Sequence, residues 1–109
     1  MVDDDDDVVI AAVTAAELLA GVELADGHHE ASRRVFVESL LSSIPVEPYD
    51  LEIARVHADL LAHVRRTGRP RGAHDLLIAA TASARSRTVV TGDATGFDDL
   101  PAVSVRRVR

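Results

Sequence analysis

Residues 8–14, VVIAAVT, are an unbroken apolar run rich in β-branched side chains, the pattern of a strand buried on both faces of a parallel sheet. From residue 15 to residue 25, AAELLAGVELA, the spacing of apolar positions turns helical. Residues 28–43 set Val35, Leu40 and Leu41 among charges and predict a second helix. IPVEPY, residues 44–49, carries two prolines and allows at most a short edge strand. Residues 50–68 are the clearest helix, with Asp50 as N-cap, a stripe of Leu51, Ala54, His57, Ala58, Leu61 and Val64, and Gly68 with Pro70 to end it. HDLLIAATASARS, residues 74–86, predicts a mostly buried helix, TVVTGD (88–93) a strand opening into a glycine turn, and VSVRRV (103–108) an alternating edge strand. Strands alternating with helices predict an α/β fold in which helices cover a parallel sheet.

In such sheets the functional groups gather beyond the carboxyl ends of the strands. Glu17 lies just past strand 8–14, in the first turn of the helix expected there. Asp93 lies just past strand 88–91, and Asp75 heads the helix that feeds that strand. A lone acid in a first helical turn is explained by the unpaired N–H groups and the macrodipole. Three acids at one sheet edge repel one another, and a hard divalent cation such as Mg²⁺ removes the conflict. A site of that kind activates water and stabilises charge on a phosphodiester.

Composition narrows the alternatives. The chain has 109 residues, 47% of them hydrophobic, which suits one compact domain. It has no Cys, hence neither a disulfide framework nor a cysteine zinc site. No apolar run approaches the ~20 residues of a membrane span, and the acidic N-terminus lacks the basic region of a signal peptide. A cytoplasmic protein with no membrane partner is expected. The net charge of −6 argues against nucleic acid until the Asp3–Asp7 run is set aside; removing those five from the 18 acids leaves 13 against 12 basic residues. Every basic residue is Arg, whose planar fork suits phosphate. Arg65, Arg66, Arg69 and Arg71 crowd around a Gly and a Pro, either as a solvated loop or as a rim that contacts RNA phosphates. Without Lys there is no phosphate-binding loop of the Walker type, and there is no Gly-x-Ser-x-Gly. His28 and His29 are adjacent and point apart on a helix, His57 falls on the apolar stripe, His63 is expected to be exposed, and His74 reads as a spacer before Asp75. Asp98 and Asp99 either cap a short turn or extend the acidic site.

VTAAELLAG (13–21), HDLLIAATA (74–82) and VVTGDATGF (89–97) resemble, in order and spacing, three motifs of the PIN domain. The closest branch is similar to the VapC toxins of bacterial toxin–antitoxin pairs. The resemblance covers essentially the whole chain as a single domain, 1–109. It implies a PIN-like three-layer α/β/α fold with a mostly parallel central sheet. It also implies an endoribonuclease dependent on Mg²⁺ (or Mn²⁺), with Glu17, Asp75 and Asp93 binding the ion and acting in catalysis, and Thr91 supporting them. The implied partners are a VapB-type antitoxin, an RNA substrate and a second copy of the chain in a homodimer. PIN domains open with an apolar strand ending in Asp, and this sequence has no such segment, so that strand and acid are expected to be missing. Asp3–Asp7 precede strand 8–14 and are expected to form an exposed tail remote from the other acids. Some relatives carry an acid just before the Phe, where this chain has Gly96, which leaves that work to Asp93. The alternative is an N-terminally truncated, catalytically impaired PIN protein that acts only by binding an antitoxin or toxin partner.

Overall fold

The computed structural model describes residues 7–108. Of the acidic run, Asp3–Asp6 lie outside the described residues, and Asp7 is exposed. The chain divides into two compact units, one running through Pro48 and the other from Tyr49 onwards.

The N-terminal unit contains β1 (Ile10–Ala11), α1 (Ala12–Leu24), α2 (Glu30–Ser43) and β2 (Val46–Glu47). β1 and β2 pair in parallel, Ile10 opposite Val46 and Ala11 opposite Glu47. The strand expected over 8–14 is therefore far shorter. Its partner is hemmed between Pro45 and Pro48, which donate no ladder hydrogen bond, although the Pro45 carbonyl accepts from Ile10 N at 2.9 Å. Once pairing stops, the alanine-rich AVTAAELLA follows its helical propensity from Ala12. Glu17 consequently sits in the second turn of α1, not in the first. Asp26 Oδ1 accepts from the backbone N–H of His28 and His29, each at 3.2 Å, and so shapes the turn into α2. Arg34 on α2 bridges Glu23 of α1 at 3.0 Å and Glu30 of its own helix at 3.1 Å.

The C-terminal unit contains α3 (Leu51–Thr67), α4 (Ala73–Ala84), β3 (Thr88–Thr91), a 3-10 turn at Ala94–Gly96 and β4 (Ser104–Arg107). β3 and β4 are also parallel, with Thr88 opposite Ser104 and Thr91 opposite Arg107. The limits of α3 are local in origin. Asp50 Oδ1 accepts from Ile53 N at 3.0 Å at the start, and Gly68 ends the helix at φ 66°, a left-handed conformation that glycine adopts at no steric cost. The buried face of α3 is not the expected one. Ile53 and Leu60 are fully buried with Val56 and Val64 packed beside them, whereas Leu51 is exposed. Apolar side chains occur on two adjacent faces of this helix, and the docking of α4 selects between them. α4 contributes Leu76, Ala79, Ala80 and Ala82 to the core, which Val89, Phe97 and Leu100 complete. Arg85 at the end of α4 returns to Asp50 at 2.6 Å and to Glu52, tying the two helices at their far ends. Among the described residues no helix is long and apolar enough to cross a membrane.

Replacing Asp50 with Ala removes a helix cap and a partner of Arg85 together. The expected cost is about 0.5–2 kcal/mol, read as a lower urea midpoint with an unchanged slope.

Candidate active site

Asp75 is the third residue of α4, behind the extended Gly72 that caps the helix. The following turns are buried, so the carboxylate occupies the place where this helix emerges from the core. Asp75 is itself half-buried, and its carboxylate makes no hydrogen bond among the described residues. Two glycines shape its surroundings. A Cβ at Gly72 would lie 3.5 Å from Asp75 Oδ2, an ordinary contact. A Cβ at Gly96 would stand 2.9 Å from Asp75 Cγ and closer still to Oδ2, so a side chain there is incompatible with this position of the carboxylate. The segment after β3 thus lies directly against Asp75, and the absence of a side chain at residue 96 is what allows it.

Asp93 heads the 3-10 turn that carries Gly96. Its Oδ1 accepts from Thr95 N at 3.0 Å and from the Thr95 hydroxyl at 2.7 Å. Thr91 fixes the same turn from the strand side: its hydroxyl accepts from Asp93 N at 3.2 Å and donates to the Asp93 carbonyl at 3.0 Å. The Thr95 hydroxyl first, then the Thr95 N–H, hold the exposed Asp93 carboxyl below its ordinary pKa; desolvation opposes them, and Arg107 adds the least, in the lowering sense. The C-terminal unit therefore brings Asp75 to the turn that Asp93 caps. Glu17 belongs to the other unit, where it is exposed on α1. Within neither unit, among the described residues, do three or more His, Asp or Glu side chains gather as a metal-binding group.

The arginine segment divides. Arg65 and Arg66 are exposed in the last turn of α3, where a positive charge complements the helix dipole. Arg69 pairs with Asp99 at 2.5 Å, and Arg71 donates to the Asp98 carbonyl at 2.6 Å and to the Pro70 carbonyl at 3.4 Å. Asp99 is thereby turned to Arg69, and its own carbonyl meets His63 Nε2 at 3.1 Å. His63, expected to be exposed, is half-buried by that contact. A cleft of about 110 Å³ lies among these groups over Val64 and Leu100. His57 is occupied by the Tyr49 hydroxyl, 2.9 Å from its Nδ1. Sequence reasoning missed Thr95 and the role of Gly96. Thr95 had a signal, since Asp-x-Thr is the spacing at which a side-chain carboxylate meets a backbone N–H two residues on. Gly96 had none, because its neighbour is 21 residues away.

The sequence profile of the PIN domain matches residues 1–103. The "tRNA(fMet)-specific endonuclease VapC" of Salmonella typhimurium is 32% identical over 96 residues, covering 86% of this chain and 70% of that protein. The toxin–antitoxin structure VapBC-5 from Mycobacterium tuberculosis superposes with a TM-score of 0.82 at 35% identity, covering 93% of this chain and 82% of that one. VapBC2 from Rickettsia felis, solved bound to a DNA fragment from its promoter, superposes with a TM-score of 0.88 over 96% of this chain and 77% of that one; at 22% identity it speaks for the fold alone.

Two outcomes follow from the geometry. Thr95→Val should raise the Asp93 titration midpoint towards the ordinary carboxylate range, measured from the side-chain ¹³C shift. The variant lacks the hydroxyl bond at every pH; the stability that the remaining bond from the residue 95 N–H contributes is present above the Asp93 midpoint and lost as pH falls through it, which in the variant happens at higher pH. Gly96→Ala should destabilise the chain, and Asp75→Ala in the same chain should recover part of the loss. A coupling of roughly 0.5–3 kcal/mol in a double-mutant cycle is expected for groups in contact.

Proposed function

The chain belongs to the PIN-domain family, in its VapC branch, and on that basis we propose that it is an endoribonuclease toxin of a VapBC-type toxin–antitoxin module, dependent on Mg²⁺ or Mn²⁺. Both units would then be parts of one PIN domain, since the family profile runs across both. A VapB-type antitoxin is the proposed partner, because the structural relatives are named as VapBC pairs. RNA as substrate, a homodimer and a cytoplasmic location complete the reading.

The observation that carries the site is the glycine cradle around Asp75. A half-buried carboxylate without a hydrogen-bonding competitor, held against the turn that Asp93 caps, has the oxygen chemistry that a hard cation requires. Asp75 and Asp93 would hold the ion, and the family resemblance implies Glu17 as a further ligand. When bound, the cation supplies Lewis-acid stabilisation of charge on the phosphodiester and makes water more acidic. The protein's own part is placement and charge. Gly72 and Gly96 leave the Asp75 carboxylate its position. Thr95 lowers the Asp93 pKa and fixes the direction of its carboxylate, so the group stays ionised to lower pH than an ordinary Asp. Thr91 locks the turn at the end of β3, which limits how far Asp93 can move. Arg65 and Arg66, exposed on α3, can meet phosphates.

The test uses the whole chain with a single-stranded RNA in Mg²⁺ or Mn²⁺. Cleavage should stop on chelation, and Asp75→Asn should lower it by about 100-fold or more with unchanged circular dichroism. An Asp75→Asn chain that cuts as fast as the parent would end this reading. A parent chain that binds antitoxin and never cuts RNA would leave only a binding role.

A further inference from the structure

Three contacts in the C-terminal unit form an ordered series. Arg69 meets the carboxylate of Asp99, Arg71 meets the carbonyl of Asp98, and Asp75 lies against Gly96. Along one segment the numbers rise, 69, 71, 75; along the other they fall, 99, 98, 96. The connection from α3 into α4 and the segment after β3 therefore run past each other in opposite directions, in contact at these three points. His63 adds a tie to the Asp99 carbonyl from α3. Phe97 and Leu100 anchor the second segment in the core, and the exposed pair between them, Asp98 and Asp99, is the part that the two arginines hold.

Arg71 is poorly disposed to meet RNA. Its two terminal nitrogens donate to the carbonyls of Pro70 and Asp98, and its Nε is buried with no hydrogen-bond partner among the described residues. A guanidinium so placed has its fork turned to the protein backbone. Asp99 neutralises Arg69. Arg65 and Arg66 are exposed and have no such engagement among the described residues.

We propose that Arg71, assisted by Arg69, is a positioning residue: the two strap the segment carrying Asp93 and Gly96 to the connection that leads into Asp75, and they do not contact RNA. The proposal rests on the reading of Asp75 and Asp93 as the site of the nuclease. It assigns the four arginines of the segment to two tasks, phosphate contact by Arg65 and Arg66 and placement of the acidic site by Arg69 and Arg71. Backbone carbonyls accept the Arg71 bonds, so the side chain of Asp98 is dispensable to the strap.

Amide hydrogen exchange of the metal-free chain tests the strap directly. Arg71→Ala should speed exchange at residues 96–100 by about an order of magnitude and leave α1 and α2 unchanged. Mn²⁺ affinity, measured by calorimetry, should fall about 10-fold, as expected when a group that orients a ligand is lost. The salt dependence of binding to a poly(U) oligonucleotide should not change, whereas Arg65→Ala with Arg66→Ala should lower its slope by roughly 0.7 for each lost phosphate contact. Arg71→Lys keeps the charge and loses the fork, so it should resemble Arg71→Ala in exchange. Should Arg71→Ala fail to fold, Arg71→Lys and Asp99→Asn carry the same measurement. The proposal is overturned if Arg71→Ala lowers the salt slope, Arg71→Lys restores it, and exchange at 96–100 stays as in the parent chain. A parent chain that neither binds Mn²⁺ nor cuts RNA would instead overturn the nuclease reading, and exchange in the metal-free chain would still decide whether the strap exists.

Discussion

The burial of α4 constrains the rest of the C-terminal unit. Ala79 and Ala80 are wholly shielded from solvent, and Leu76 and Ala82 nearly so. Small side chains at those positions let α3 approach closely, which puts Ile53 and Leu60 against them. A helix so enclosed can carry a charge only where it emerges. Its N-terminal end is that place, and there the unpaired N–H groups and the dipole favour a carboxylate. Asp75 is thus tolerated for a structural reason at the position where the proposed nuclease site places an acid. The two explanations of this residue do not compete.

The segment from Thr91 to Leu100 shows how a polar site is kept in shape without a core of its own. Short-range bonds among Thr91, Asp93 and Thr95 define its first turn. Two buried apolar side chains, Phe97 and Leu100, pin its second half. Between them lies the glycine that admits Asp75. Each of these devices is weak alone, and exposed ion pairs such as Arg69–Asp99 contribute little to stability. Their combined effect is on placement: they set the turn that Asp93 caps against Asp75.

The N-terminal unit works by different means. Its parallel pair is two residues long, and Arg34 of α2 ties that helix to Glu23 of α1 while also pairing with Glu30 of its own helix. Val35 and Phe36 stay exposed on α2, so apolar content alone does not assign a residue to the core. Prolines on both sides of β2 account for the shortness of the pairing.

Local chemistry was legible in the sequence. The limits of α3 depend on Asp50 and Gly68, whose effects reach three or four residues, and both ends were predicted correctly. The parallel α/β arrangement followed from alternating periodicities, and the family was recognisable from three short motifs. What failed depended on partners distant along the chain. The length of β1 was decided by Pro45 and Pro48, more than thirty residues away, and with it the turn of α1 on which Glu17 falls. Which apolar face of α3 is buried was decided by α4. The arginines at 69 and 71 read as exposed charges until residues 98 and 99, 27 to 30 positions further on, were brought to them. A sequence states which groups a residue can bond and what lies within one turn of it. Only the folded chain determines which distant group arrives, because packing of the apolar side chains sets that and the polar partners follow.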